Sequence, residues 1–282
     1  MKAKDYRTTL EPVWCTGCGD FGVLKGLTQA LVDLEIPPER LAVISGIGCS
    51  SRLPGYTRSY AFNSIHGRAL PIATGLKLSR PEITTLVVGG DGDGFSIGLG
   101  HLPHAIRRDV DITYTVLDNG IYGLTKGQSS PTTEIDFKRS RGLAGPDERP
   151  LNPVLLVLST GCGFVARSHA GNLPHLREMI REAIRYPGFS FVHVLAGCVT
   201  YQTPSYGQEI YQRCDVLPQG YDSSNLTAAI EAARSDRFQL GILYRRDPKI
   251  GTEGAVEMAG VAGVWKAHAG TDRGIEDVAH EE

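Results

Sequence analysis

The chain has 282 residues, 41% of them hydrophobic and 21% charged, with a formal net charge of -2. That length accommodates one large α/β domain or two small ones, and the balance excludes a collagen, a disordered polyelectrolyte and a basic nucleic-acid binder. No window approaches the roughly 18 uninterrupted apolar residues of a membrane helix, and the opening MKAKDYRTTLEPVWC has no apolar signal-peptide core. The expectation is a cytoplasmic protein with neither nucleic acid nor membrane among its partners. Its six cysteines then read as metal ligands, redox groups or core filler rather than a disulfide framework.

In chain order, Leu24, Leu27, Leu31 and Leu34 recur at helical spacing and predict a first helix. The β-branched run Leu41–Ser45 (LAVIS) predicts a buried strand that ends in Gly46-Ile47-Gly48-Cys49. A helical stretch over Arg68–Leu78 leads to a second strand, Ile83–Val88 (ITTLVV), which runs into Gly89-Gly90-Asp91-Gly92-Asp93, with a helix expected to start near Ser96. The third strand, Ile112–Leu117 (ITYTVL), runs into Asp118-Asn119-Gly120-Ile121. Ser129–Pro153 is polar and rich in Pro, Gly and Arg, and reads as a long loop or lid. A helix over Leu173–Ile184 precedes the fourth strand, Phe189–Leu195 (FSFVHVL), which ends in Ala196-Gly197-Cys198.

Beyond Tyr201 the pattern weakens to one helix (Asn225–Arg234) and one strand (Leu240–Tyr244). The stretch from Gly251 reads as a docking arm or a mobile tail. The expected organisation is a core over 1–200 and an extension over 201–282 that completes the sheet and docks to a partner subunit. Strands alternating with helices imply βαβ units, hence an α/β fold with a parallel sheet covered by helices on both faces. Ligands of such sheets gather at the carboxyl ends of the strands, where these four glycine-rich turns lie.

Asp91 and Asn119 each follow a buried strand and offer hard oxygen donors suited to Mg²⁺, which keeps phosphate oxygens and water in its octahedral shell. Glycines at 89, 90 and 92 let the backbone approach a phosphate closely. Cys15 and Cys18 form a C-x-x-C unit, and Cys49 and Cys198 sit at two strand ends on the edge that carries the acids. A zinc ribbon lacks its second close pair here. A thioredoxin-type C-x-x-C leaves Cys49 and Cys198 unexplained, whereas an iron-sulfur centre held by four thiolates uses all of them. Cys162 lies in an apolar context and reads as buried and inert. Cys214 is the rival of Cys198 for the fourth position.

Five strings in order resemble the β subunit of 2-oxoacid:ferredoxin oxidoreductases: Trp14-Cys15-Thr16-Gly17-Cys18-Gly19, Ser45-Gly46-Ile47-Gly48-Cys49-Ser50, Ile65-His66-Gly67-Arg68-Ala69, Gly89-Gly90-Asp91-Gly92-Asp93, and the run from Asp118 to Gln128 (DNGIYGLTKGQ). The match is close over Trp14–Thr133, looser to Tyr201 and weak in the last quarter. Thr16 and Val199 stand where the family usually has proline, and neither supplies a ligand atom.

The resemblance implies the thiamine diphosphate-binding fold (the diphosphate-binding half of the cofactor site) and one 4Fe-4S cluster on Cys15, Cys18, Cys49 and Cys198. It implies Mg²⁺ on Asp91, Asn119 and the Ile121 carbonyl, and thiamine diphosphate against Ile47, Gly48, Cys49, Ser50, His66, Gly92, Asp93, Gly123 and Leu124. Arg52 and Lys126 match positions near the substrate, where a cation pairs with an oxoacid carboxylate. The implied reaction is oxidative decarboxylation of a 2-oxoacid with coenzyme A, electrons passing to ferredoxin. Two nearby cations favour 2-oxoglutarate over pyruvate. An α subunit carrying the pyrimidine-binding domain is implied, as αβ or α₂β₂. Rival readings are a thiamine-dependent decarboxylase or synthase without electron transfer and a non-enzymatic iron-sulfur or zinc scaffold.

Overall fold

A computed structural model describes residues 1–135, 148–202 and 206–247. The strands are β1 (Leu41–Ser45), β2 (Tyr60–Asn63), β3 (Thr84–Gly90), β4 (Thr113–Asp118), β5 (Ile121–Tyr122), β6 (Gln128–Ser129), β7 (Phe164–His169), β8 (Ser190–Leu195), β9 (Cys214–Val216) and β10 (Phe238–Arg245). All but β5 and β6, which form a small hairpin, join one eight-stranded sheet in the order β2-β1-β3-β4-β8-β7-β10-β9. Every neighbouring pair in it is parallel except β10 against β7. β1, β4 and β8 are buried at every position, which is why their sequences are continuous apolar runs rather than alternating ones.

Helices cover both faces. On one face α1 (Asp20–Asp33) and α5 (Leu173–Arg185) pack over Val43, Leu86, Ala166 and Val192. On the other, α2 (Ala69–Ser79), α3 (Leu102–Arg108), α4 (Pro153–Ser159) and α7 (Leu226–Arg234) cover Ile44, Val87, Val116 and Phe191. A further helix, α6 (Tyr206–Gln212), precedes β9. Asn152, Asn172 and Asn225 cap α4, α5 and α7, each side chain accepting a backbone N–H three residues on. No helix among the described residues is long and apolar enough to cross a membrane.

Two expectations need correction. No α-helix starts near Ser96: Asp93–Ile97 makes a wide turn with Ser96 off helical geometry (φ -103°, ψ -105°), then a 3₁₀ turn over Leu99–His101 leads into α3 at Leu102. A Cβ at Gly94 would collide with the Tyr114 hydroxyl and one at Gly98 with the Asp93 carbonyl, so both glycines are needed for the close packing of this turn. The strand expected to stop at Val88 also continues to Gly90, because Gly89 and Gly90 pair with Val116 and Leu117 of β4.

β7 had no apolar signature, since FVARSH carries Arg167 and Ser168 into the sheet, yet both are buried. The lid expected over Ser129–Pro153 is held at its ends, Leu151 N–H donating to the Pro131 carbonyl at 2.8 Å. Its middle, 136–147, and the tail from Gly251 lie outside the described residues.

Candidate active site

The turns after β1, β3 and β4 enclose a cavity of about 230 Å³. Ile47, Gly48, Cys49, Ser50, His66, Asp91, Gly92, Asp93, Asn119, Ile121, Gly123 and Leu124 all line it, together with Tyr122 and Thr125, which the sequence did not single out. Asp93, buried at the start of the wide turn, ties three loops together. Its Oδ1 accepts from the Ile47 N–H (3.0 Å), the Gly67 N–H (2.7 Å) and His66 Nδ1 (2.8 Å). Any side chain at Gly46 would collide with that carboxylate, so the glycine is needed for the close approach. Because His66 Nδ1 carries the proton given to Asp93, Nε2 is the nitrogen left for a ligand.

Asp91 is 2% exposed, and its carboxylate accepts from the Thr132 hydroxyl at 3.0 Å and the Asn119 N–H at 3.5 Å. Among the described residues no cation pairs with it. Burial, and then the charge of Asp118, push its carboxyl up to about 7. Asn119 turns its Oδ1 onto the Ile121 N–H at 3.0 Å, which fixes the tight turn that brings residues 119 and 121 to the same wall. A buried acid without a counter-charge, beside an amide oxygen, is a donor set that favours a hard divalent cation.

Asp118 has the opposite surroundings. His193 Nε2 donates to its Oδ2 at 2.8 Å and the Gly120 N–H to its Oδ1 at 3.0 Å, and Thr132 Oγ1 stands 2.7 Å from that Oδ1, its single proton shared between Asp118 and Asp91. Burial opposes its ionisation, yet these bonds outweigh it and hold the carboxyl below its ordinary range. His193 Nδ1 accepts from Arg167 Nε at 3.1 Å. An arginine only donates, so the imidazole is neutral with its proton on Nε2.

The four candidate cluster thiols share one neighbourhood. Cys49 Sγ and Cys198 Sγ lie 3.4 and 3.9 Å from where a Cβ on Gly123 would stand. Cys18 feels the charges of Cys49 and Cys198, and Cys49 those of Cys15 and Cys198. The N-terminal segment is pinned there by Trp14 Nε1 donating to the Cys49 carbonyl at 2.7 Å. Burial pushes Cys18 up and Cys49 up to about 11, the reverse of a low-pKa redox thiol. Cys214 has other surroundings: its thiol donates to the Ile210 carbonyl and its charged neighbours are Arg167, Arg213, Arg237 and Asp215. Cys162 is 1% exposed beneath β7 and bonded to the Phe164 carbonyl.

Gln202, 1% exposed, joins the two groups of residues. Its Nε2 donates to the Asn119 carbonyl, and its Oε1 accepts the Cys198 N–H at 2.6 Å. The partners fix this orientation, since one is an acceptor and the other a donor. Thr132 and Gln202 carried no sequence signal. Arg52 and Lys126 are both exposed, Lys126 in the left-handed region at φ 79°, and neither lines the cavity among the described residues.

Residues 46–194 match the thiamine pyrophosphate enzyme, C-terminal TPP binding domain family, so the sheet and its acid-lined cavity define a thiamine pyrophosphate enzyme domain. The 2-oxoacid:ferredoxin oxidoreductase 2 subunit beta of Aeropyrum pernix is 41% identical over 254 residues, 85% of this chain and 82% of that protein. The 2-oxoglutarate oxidoreductase subunit KorB of Mycobacterium tuberculosis is 43% identical over 206 residues, 73% of this chain and 55% of its own length. A solved 2-oxoglutarate:ferredoxin oxidoreductase from Magnetococcus marinus, with 2-oxoglutarate, coenzyme A and succinyl-CoA bound, superposes with a TM-score of 0.87 at 40% identity, covering 96% of this chain and 93% of that one. The chain belongs to the β subunits of the 2-oxoacid:ferredoxin oxidoreductase family.

Proposed function

We propose that this subunit supplies the metal and diphosphate half of a thiamine diphosphate site and a 4Fe-4S cluster to a 2-oxoglutarate:ferredoxin oxidoreductase that forms an acyl-CoA. One juxtaposition carries the reading: Cys49 and Gly123 line the acid-walled cavity on one side while the Cys49 and Cys198 sulfurs meet at Gly123 on the other. A thiamine decarboxylase without electron transfer has no use for those thiols, and a zinc or iron-sulfur scaffold has no use for Asp91 and Asn119.

Asp91 and Asn119, with the Ile121 carbonyl, would hold Mg²⁺. The backbone over 47–50 and the ring of His66 would hold the diphosphate, with Asp93 orienting both. Cys15, Cys18, Cys49 and Cys198 would hold the cluster. When bound, these groups supply an electron sink for decarboxylation and a one-electron acceptor. The protein's part is to fix them on one rim, with Asp91 buried and the four thiols graded from half-buried Cys18, Cys49 and Cys198 to exposed Cys15.

The activity of the Magnetococcus marinus and Mycobacterium tuberculosis relatives on 2-oxoglutarate supports 2-oxoglutarate as substrate. Arg52 and Lys126, exposed and close in sequence to the lining residues Ser50 and Thr125, would meet its carboxylates once the α subunit completes the pocket. Methyl viologen reduction by the assembled enzyme, with a panel of 2-oxoacids and coenzyme A, tests this. Preference for 2-oxoglutarate is expected, and preference for pyruvate overturns the substrate assignment. Iron and acid-labile sulfide counts of about four each per chain are expected for Cys₄ ligation; zinc without sulfide overturns the cluster.

A further inference from the structure

A second cavity, of about 330 Å³, lies on the other side of the turn at residues 118–120. Asp118 and Gly120 line it, whereas Asn119 and Ile121 line the first. Arg167, Arg213, His193 and Phe238 contribute to its wall. Arg167 is 3% exposed and sits in the middle of β7, and its Cζ lies 5.3 Å from the centre of the Phe238 ring, with that of Arg213 at 5.0 Å from the same ring.

The charges in this wall do not cancel evenly. Arg213 Nη1 is met by both oxygens of Glu134 at 2.8 and 2.9 Å. Asp118 is met by its three donors. Asp236 is exposed at the rim. Arg167 spends only its Nε–H, and on a neutral imidazole. Among the described residues its Nη nitrogens have no acceptor and no carboxylate lies within ion-pair distance. Burial pulls its guanidinium down to about 10. A buried cation with four of five donors unspent, opening on a cavity, is satisfied by an acceptor that brings two oxygens and a charge.

We propose that Arg167 is the anchor of a second small-molecule site, distinct from the thiamine cavity, which takes an anionic carboxylate or phosphate group against its Nη donors. Phe238 holds the guanidinium plane, and the Asp118–His193 pair fixes its Nε end, so the fork is preorganised. Arg213, tethered to Glu134, stands on the same ring.

Calorimetric titration of the full chain with succinate and with inorganic phosphate, at constant ionic strength against chloride, tests the site and separates the two chemistries. One equivalent of saturable binding by at least one of them is expected, weakened at least tenfold in Arg167→Met and unchanged when thiamine diphosphate and Mg²⁺ are added. Absence of saturable binding, undiminished binding by Arg167→Met, or an isotherm abolished by thiamine diphosphate overturns the proposal. If the thiamine reading fails instead, thiamine diphosphate gives no isotherm of its own while the Arg167-dependent one persists. Should Arg167→Met not fold, Ser235→Asp adds a negative charge at the exposed rim of the cavity; it is expected to weaken binding several-fold, and unchanged affinity overturns the proposal.

Discussion

Two cavities share the turn after β4 and present opposite chemistry across it. On one side Asp91 and Asn119 face a space where, among the described residues, a buried carboxylate has no cation of its own; on the other, Arg167 is a buried cation whose Nη donors meet no acceptor among the described residues. The partition follows the pleat of the strand, because successive residues leave it on opposite sides. Asp118 therefore faces His193 and Arg167 and is fully satisfied by protein, while Asn119 one position on faces the first cavity. Thr132 spans the divide, its hydroxyl lying within hydrogen-bond distance of both Asp91 and Asp118. Two acids so close keep opposite tasks because Asp118 has the His193 imidazole as a short-range donor, whereas Asp91 has only the Asn119 N–H and a share of the Thr132 hydroxyl.

The sharpest way to break this contrast is to remove the unsatisfied acid. Asp91→Ala is expected to lower thiamine diphosphate retention by a hundredfold or more, read by thiochrome fluorescence, and to leave iron and sulfide at wild-type levels. Parallel loss of iron would show that cavity and thiols are one unit.

Next in size is the choice of the fourth thiol. Cys198→Ser is expected to remove the 400 nm absorbance and most of the iron, and Cys214→Ser to keep both, since a serine at 214 can still donate to the Ile210 carbonyl that Cys214 holds now. The opposite outcome would move the sulfur site to the Arg167 side of the sheet.

Gln202 is where the cavity and the thiols meet. Gln202→Leu leaves the half-buried Asn119 carbonyl and Cys198 N–H without these partners, at a cost below the roughly 1–3 kcal/mol of a fully buried orphaned group, and a lower melting temperature with partial loss of both iron and thiamine diphosphate is expected. Gln202→Glu keeps the acceptor for Cys198 but sets an anion against the Asn119 carbonyl. It should spare iron and lower thiamine retention; equal losses would show that Gln202 only fills space.

The parts of the site that were readable share a physical origin. A strand buried on both faces is a short apolar run, and the residue after it falls on the ligand edge whatever its partners, so Asp91, Asn119, Cys49 and Cys198 announced themselves locally. Thr132, Gln202 and the Arg167–His193–Asp118 chain did not. His193 and Asp118 are 75 residues apart, and Gln202 and Asn119 83; only strand order brings them together. β7 was hidden for the same reason, since Arg167 bonds His193 of β8 through its Nε alone and Ser168 bonds His175 of α5, contacts that no local pattern announces. The helix expected near Ser96 failed because the chain leaves helical geometry at Ser96, where Gly94 and Gly98 pack against Tyr114 and the Asp93 carbonyl, contacts that the sequence does not announce.

The smallest expected effect concerns the divider itself. Burial pulls His193 below its ordinary value; Asp118 in β4 opposes this and Arg167 in β7 adds to it. The folded protein therefore keeps this imidazole neutral at a pH where the unfolded chain has begun to protonate it. Below about pH 6.5 the unfolded state binds more protons, so stability falls as pH is lowered, by up to about 1.4 kcal/mol per pH unit for one group. In His193→Gln, an amide can still accept from Arg167 and donate to Asp118 without titrating. Urea denaturation between pH 5 and 7 is expected to show a shallower decline for His193→Gln than for the wild type. Equal slopes would mean that His193 carries the same charge folded and unfolded, and that the Arg167 Nε bond does not hold its tautomer.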